Sequence, residues 1–318
     1  MITARRVLLA TACLLGTAPA AWSQAFPAKP VRFILGPSSE LLPRILGQQL
    51  SQMWGQQVLV DPRTGGGGII AADLVAKSPP DGYTWLYTSA TYTVSASLLA
   101  HPQFDLPRDF QAVTLLASAP FYLMVHPSLP VKSVRELTAL AQSRPGQLNY
   151  GTGGVGTPPH LAGEMYKSMA RVNLVHVPYK AVAASVVDHL AGQVQVAFQY
   201  GPSALPYVRS GKLRGLAVTS LKRSRFAPEL PTMDESGLRA YEILGWNGIH
   251  VPPKTPTEII NKLNTDLRKT LQAPEVQQRL TAASLDLHGT TRADFEAFVN
   301  KDRARWAKAV KDAGITPE

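Results

Sequence analysis

The sequence predicts an α/β fold built as two lobes, and three observations lead there. Short apolar, β-branched runs alternate with amphipathic stretches along most of the chain, the order expected of βα units. At 318 residues the chain is too long for one small core and suits two domains of ordinary size. Charged residues make up only 17%, below the usual quarter, which leaves room for strands buried on both faces.

The elements follow in order. β-Branched and aromatic residues run together at 31–35 and predict a strand. Leu41, Leu42, Ile45, Leu46 and Leu50 recur at helical spacing and predict a helix over 40–54. A strand at 57–60 leads through a glycine-rich turn, 62–68, into a short helix at 69–77. Pro79-Pro80-Asp81-Gly82 breaks that helix, and a strand follows at 83–88. A second series begins with a strand at 121–125. Ser133 and Glu136 form a capping box that opens a helix to residue 142. Further strands are expected at 148–150, 172–177, 194–199 and 213–219, with helices at 158–169, 182–190 and 203–209 between them. After a strand at 243–251 come three helices, 257–271, 274–283 and 292–313. The last carries Phe295, Phe298, Trp306 and Val310 on roughly one face. Two α/β lobes, with the chain returning to the first, account for this order.

Residues 1–25 read as a signal peptide. Arg5 and Arg6 give it a positive start, residues 7–15 are mostly apolar, and Ser23-Gln24-Ala25 is a small-x-small cleavage site. The mature chain is expected to begin at Phe26, in the periplasm. Arg5-Arg6-Val7-Leu8-Leu9 fits a twin-arginine signal loosely, and the Sec route is the default. The apolar run is too short for a transmembrane anchor. Cys13, the one cysteine, lies in this leader, so the mature protein is expected to lack a thiol for a disulfide, a metal or a nucleophile. Without Arg5 and Arg6 the formal charge falls from +10 to +8. Lys and Arg are scattered, with no dense run beyond Lys222-Arg223-Ser224-Arg225. That argues against nucleic acid and for a field mildly favourable to anions.

The run Gly151-Thr152-Gly153-Gly154-Val155-Gly156-Thr157 sits between a strand and a helix. Backbone N–H groups there, unobstructed by bulky side chains, suit an anion, and Thr152 and Thr157 add hydroxyls. The run ends Gly-Thr-Pro rather than Gly-Lys-Ser, so it is no Walker motif. A tight structural turn would use the same residues. A second glycine run, 65–68, follows Arg63, which is either a carboxylate partner or an ordinary surface arginine. Thr88, Ser89 and Thr91 stand at a strand end, where open α/β sheets present ligand groups. The sequence has no Gly-x-Ser-x-Gly elbow, no His-Glu-x-x-His and no His/Asp/Glu cluster at metal spacing. His160, beside the glycine run, is expected to orient a ligand or brace the structure rather than act as a base.

Several further runs carry a family likeness: Phe26-Pro27, Lys29-Pro30-Val31-Arg32, Pro80-Asp81-Gly82-Tyr83-Thr84, Gly156-Thr157-Pro158-Pro159-His160-Leu161, His176-Val177-Pro178-Tyr179-Lys180, Gly192-Gln193-Val194, and Trp246 with Pro252-Pro253. Together they resemble the substrate-binding proteins of tripartite tricarboxylate transporters, also called Bug receptors, across essentially the whole mature chain. The resemblance implies a two-lobed periplasmic binding protein of type II with the ligand cleft between the lobes. Lobe 1 would be 26–120 and 252–318, lobe 2 would be 121–251, and hinge strands would lie near 121–125 and 245–251.

The same resemblance implies a receptor for a small organic anion, a carboxylate, serving uptake or sensing. Its ligand would be held by Ser38, Ser39, Thr88, Ser89 and Thr91 in lobe 1 and by Thr152, Gly153, Gly154, Gly156 and Thr157 in lobe 2, with His160 and Tyr200 beside them. No cofactor or metal is expected, and no nucleic acid. A monomer working with a membrane permease or a sensor kinase is expected. The alternative is a periplasmic α/β enzyme that acts on a small carboxylate through His160. Two departures stand out. The loop Leu35-Gly36-Pro37-Ser38-Ser39-Glu40 is shorter than the family's Pro-Gly-Gly-x-x-Asp loop and carries Glu for Asp. Ala181 replaces a usual glycine, and Gln199-Tyr200 stands where an acidic residue is common. Glu40, if turned to the cleft, would repel a second carboxylate.

Overall fold

The computed structural model describes residues 26–36, 38–63, 65, 68–98 and 103–312, so the expected leader lies outside the described residues. The chain first forms β1 (Val31–Leu35), α1 (Leu41–Trp54), β2 (Val58–Pro62), α2 (Ile69–Ala76), β3 (Thr84–Ser89), α3 (Ala90–Leu98), α4 (Leu106–Asp109) and β4 (Gln111–Val125). It continues with α5 (Val134–Ser143), β5 (Asn149–Thr152), α6 (Pro158–Ala170), β6 (Val175–Pro178), α7 (Val182–Leu190), β7 (Val196–Tyr200), α8 (Gly201–Arg209) and β8 (Arg214–Val218). Then come β9 (Leu244–Val251), α9 (Thr257–Gln272), α10 (Pro274–Ala282), β10 (Asp286–Leu287) and α11 (Arg292–Asp312).

One sheet runs β2-β1-β3-β9-β4-β7-β5-β6, with β8 and β10 also paired to β4. β1, β2 and β3 are parallel, as are β5, β6 and β7, because each is joined to the next through a crossover helix. β4 is the joint between these halves. Its first part, 111–120, pairs with β9, and its end, 121–125, pairs with β7 and β8. Pro120, with no N–H to give a ladder, sits where the strand changes partners. The sequence pattern predicts only 121–125 of this strand, since a proline inside an apolar run reads as a break. Pairing with β3 and β4 puts β9 in the first sheet, although the sequence grouped 244–251 with the second lobe.

Each lobe has a core of its own. Phe33, Trp85, Leu116, Ile249, Leu263 and Leu267 fill the first, and Leu123, Tyr150, Leu161, Phe198 and Ile243 fill the second. Helices α3 and α11 straddle them. Val94, Leu98, Trp306 and Val310 lie in the second-lobe core, whereas Tyr92, Phe295 and Val299 pack on the first-lobe side. No helix is expected over 90–98 from sequence, because Thr91, Thr93, Val94 and Ser95 are mediocre helix formers. Packing between the lobes makes it one. Half of the α5 capping box is present: Ser133 Oγ accepts from Glu136 N at 3.2 Å, while Glu136 Oε2 accepts from Lys132 N, one residue before the cap, at 2.7 Å. A cap of this kind stabilises a helix by about 1 kcal/mol.

Candidate functional site

Strands β1 and β3 of the first lobe and β5 and β7 of the second end where α1, α3, α6 and α8 begin. Helix starts expose N–H groups without helical partners, so the seam between these ends suits an anion. Two contacts cross it. Ser95 Oγ of α3 donates to Gly156 O at 3.0 Å, and Tyr200 Oη of β7 donates to Asn247 Oδ1 of β9 at 3.1 Å. Neither Ser95 nor Asn247 is singled out by the sequence, because the signal is a meeting of lobes and not a spacing.

The turn after β5 is shaped by its own side chains. Gly154 and Gly156 hold φ at 120° and 76°, which glycine alone adopts readily. Thr152 Oγ1 accepts from Gly154 N at 3.1 Å and stands 2.7 Å from His176 Nε2. Thr157 Oγ1 donates to Gly154 O at 2.7 Å. Both hydroxyls expected at a ligand are therefore engaged within the loop. Among the described residues, the N–H groups of Gly153, Val155 and Thr157 have no protein partner. Helix α6 opens on Pro158 and Pro159, which carry no N–H, so the turn supplies the donors rather than the helix.

Behind the turn three rings stack. His160 lies against His176 with 4.3 Å between centroids, and His176 against Tyr150 with 4.9 Å. Gly156 N donates to His160 Nδ1 at 3.4 Å. Tyr150 Oη donates to Glu164 Oε1 at 2.5 Å, and Glu164 is ion-paired with Lys167 at 2.8 Å. Burial first, and then repulsion from His160, lowers the His176 pKa from its ordinary value to about 4. A neutral ring can thus pack beside Thr152 without a counter-ion. His160 sits inside this column, where it braces the turn.

The first-lobe wall is less self-contained. Ser89, at the end of β3, faces Ser38 Oγ across 3.5 Å, the outer limit of a hydrogen bond. Ser39 is exposed and accepts from Leu41 N at 3.4 Å where α1 starts. Thr91 lies in the first turn of α3, beside N–H groups that no helical carbonyl reaches. Thr88 differs. It is fully buried, donates to Gly248 O at 3.2 Å and stands 2.9 Å from His250 Nδ1, so it ties β3 to β9. Glu40 is ion-paired with Arg44 in the first turn of α1, which compensates its charge within the lobe. Arg63 pairs with Asp61 at 2.9 Å, which Arg32 also holds at 2.7 Å. The Tyr200 ring packs against both cores and against Phe121 at 5.5 Å. Burial raises its pKa, so it serves Asn247 as a neutral donor.

This arrangement has counterparts among known proteins. A family model, the tripartite tricarboxylate transporter family receptor, matches residues 42–315. The chain belongs to that family. BugT of Bordetella pertussis (strain Tohama I) is 31% identical, over 97% of this chain and 95% of its own. A protein from the tcbD–tcbE intergenic region of Pseudomonas sp. (strain P51) is 33% identical, over 96% of this chain and 93% of its own. Among solved structures, R. palustris Rpa4515 with adipate superposes with a TM-score of 0.88 at 34% identity, covering 92% of this chain and 100% of that one. The periplasmic binding protein BugD gives 0.86 at 29% identity, with 92% and 100% covered. The fold is thus the two-lobed α/β fold of type II periplasmic binding proteins, with the seam described above between its lobes. The protein is a solute-binding receptor of a family whose members are periplasmic.

Proposed function

We propose that this receptor holds the carboxylate of a small organic anion in the seam between its lobes. The observation that carries the reading is the turn at 153–157, whose hydroxyls are engaged internally while the N–H groups of Gly153, Val155 and Thr157 have no protein partner among the described residues. Hydrogen bonds to a charged group contribute about 1.5–3 kcal/mol each, and micromolar affinity requires about 8.2 kcal/mol net. Several must act together once the entropy of association is subtracted. Main-chain donors of the second lobe, joined by Ser38, Ser89, Thr91 and the α3 amides of the first, supply that number. The adipate held by Rpa4515 supports a carboxylate as the class of ligand.

In the same reading residues 1–25 are a leader removed on export, and the mature chain starts at Phe26. The Phe26 ring packs on Tyr83 at 5.0 Å and on Trp54 at 6.5 Å, so trimming beyond it would uncover apolar surface. The receptor acts as a monomer that delivers solute to a membrane permease or reports occupancy to a sensor kinase. The engagement of His160 with Gly156 and His176 supports binding over catalysis. Native mass spectrometry of protein taken from the periplasm should show a copurified carboxylate and a chain beginning at or within two residues of Phe26. Calorimetry with adipate should give saturable one-site binding without turnover. Conversion of adipate by the pure protein would overturn the receptor reading, and an intact Met1 chain in the membrane fraction would overturn export.

A further inference from the structure

Asp302, on α11, is a buried carboxylate, 3% exposed, that no part of the ligand seam touches directly. Four donors converge on it. Thr93 Oγ1 of α3 donates to Oδ2 at 2.7 Å, Trp246 Nε1 of β9 at 2.7 Å and Trp306 Nε1 of α11 at 2.8 Å. Arg305 Nη2 donates to Oδ1 at 2.7 Å, and its Nη1 reaches Glu242 Oε2 at 2.8 Å, in the segment that enters β9 from the second lobe. Three neutral donors on Oδ2 and one guanidinium on Oδ1 match the four lone-pair sites of the Asp302 carboxyl oxygens.

What these donors belong to gives the carboxylate its reach. Thr93 stands in the second half-turn after Thr91, on a helix of nine residues that is marginal by itself. Two residues further on, Ser95 makes the bond to Gly156 across the seam. Trp246 is the neighbour of Asn247, which accepts from Tyr200 on the other lobe. One buried group therefore holds both the α3 wall and the strand that meets Tyr200, and it does so from a helix whose two ends lie in different cores.

The geometry points to Asp302 as the positioning residue of the ligand seam, setting the first turn of α3 and the β9 edge against the 153–157 turn. This rests on the carboxylate-binding reading above for its effect on ligand, but not for its effect on α3. Asp302→Asn keeps the shape, removes the charge and replaces one acceptor with a donor that opposes the indole and hydroxyl groups. In the full mature chain without ligand, amide hydrogen exchange over 90–98 should speed by about tenfold or more in this variant, while β1 and β2 exchange as before. Adipate affinity should fall by about tenfold or more.

Val276→Ala removes buried volume from α10 in the first-lobe core, in a cluster that holds no α3 residue, and lowers the melting temperature. It should leave α3 exchange and adipate affinity as in the wild type. Thr93→Val should reproduce the Asp302→Asn behaviour, and Thr93→Ser, which keeps the hydroxyl, should not. The Thr93 pair decides the matter if Asp302→Asn fails to fold. Wild-type exchange over 90–98 in Asp302→Asn or Thr93→Val would overturn the assignment, as would an equal loss of affinity in Val276→Ala. If the wild type binds no carboxylate, the ligand reading falls, and the exchange measurements still decide the role of Asp302.

Discussion

The two walls of the seam meet the same requirement in different ways. In the second lobe, Thr152, Thr157 and His160 shape the turn at 153–157, and the N–H groups of Gly153, Val155 and Thr157 keep no protein partner among the described residues. In the first lobe, β3 and α3 are already held by the sheet ladder and by packing, and the Ser38 and Ser89 hydroxyls reach only each other, at 3.5 Å. A glycine turn has no ladder to hold it, so its hydroxyls must do so; at the end of β3 the ladder holds the backbone, and Thr88 alone turns inward to Gly248 and His250. Similar residues thus have different meanings. A substitution in the second wall changes geometry, and one in the first changes a contact.

The largest expected effect concerns acid. The second lobe buries His176 and His189 with pKa values lowered to about 4, mainly by burial, and the first-lobe sheet buries His250 with its pKa lowered to about 3 by burial alone. Each is neutral when folded and takes up a proton on unfolding once the pH drops below the ordinary histidine value. Stability is therefore complete above about pH 6.5 and is lost as pH falls toward 4, by about 1.4 kcal/mol per pH unit for each histidine. His176 is half-buried and contributes least. Thermal unfolding between pH 7 and 4.5 should show this slope, and hydrogen exchange should show the second lobe opening first. A flat profile, or first-lobe opening, would break the contrast.

Next is Gly154→Ala, which forces a φ of 120° on a residue with a side chain. Strain of about 1–3 kcal/mol should weaken adipate binding by about tenfold to hundredfold with the first wall untouched. Thr157→Val should follow, at about tenfold, together with faster exchange over 153–157. Ser89→Ala should cost about 1 kcal/mol of affinity with no change of loop exchange. If Ser89→Ala loosens the loop, or Thr157→Val does not, the two walls are not distinct in the way described. The smallest effect belongs to Glu40→Gln. Its exposed pair with Arg44 stabilises α1 by less than about 0.5 kcal/mol, and adipate affinity should stay put. A large gain would show that Glu40 faces the ligand after all.

Much of the scaffold was legible from local pattern. Strand β1, helix α1, the Ser133 cap of α5 and the strand–glycine–helix order around 151–157 follow from residue spacing, because each depends on neighbours within a few positions. The first ten residues of β4 did not, since Pro120 hides the continuity that pairing with β9 imposes. Helix α3 did not either, since its residues favour no helix until α11 packs against them. At the site, the residue types were legible and their tasks were not. Thr88 reads as a ligand hydroxyl at a strand end and turns inward to Gly248 and His250. Ser95 and Asn247 carry no local mark at all.

By itself, the sequence determined the family, the α/β alternation and the glycine turn, because these rest on short-range spacing and on backbone angles that glycine alone tolerates. Tertiary structure decided which groups of that turn bond inward and which keep no protein partner among the described residues. Thr152 and Thr157 could bond outward or inward, and only the positions of Gly154 and His176 turn them inward. It also decided that Asp302, which lies in no sequence motif, joins Thr93, Trp246 and Trp306. A hydrogen bond is chosen by what lies within about 3 Å, and for these groups that neighbourhood exists only after the lobes have closed around their shared helices.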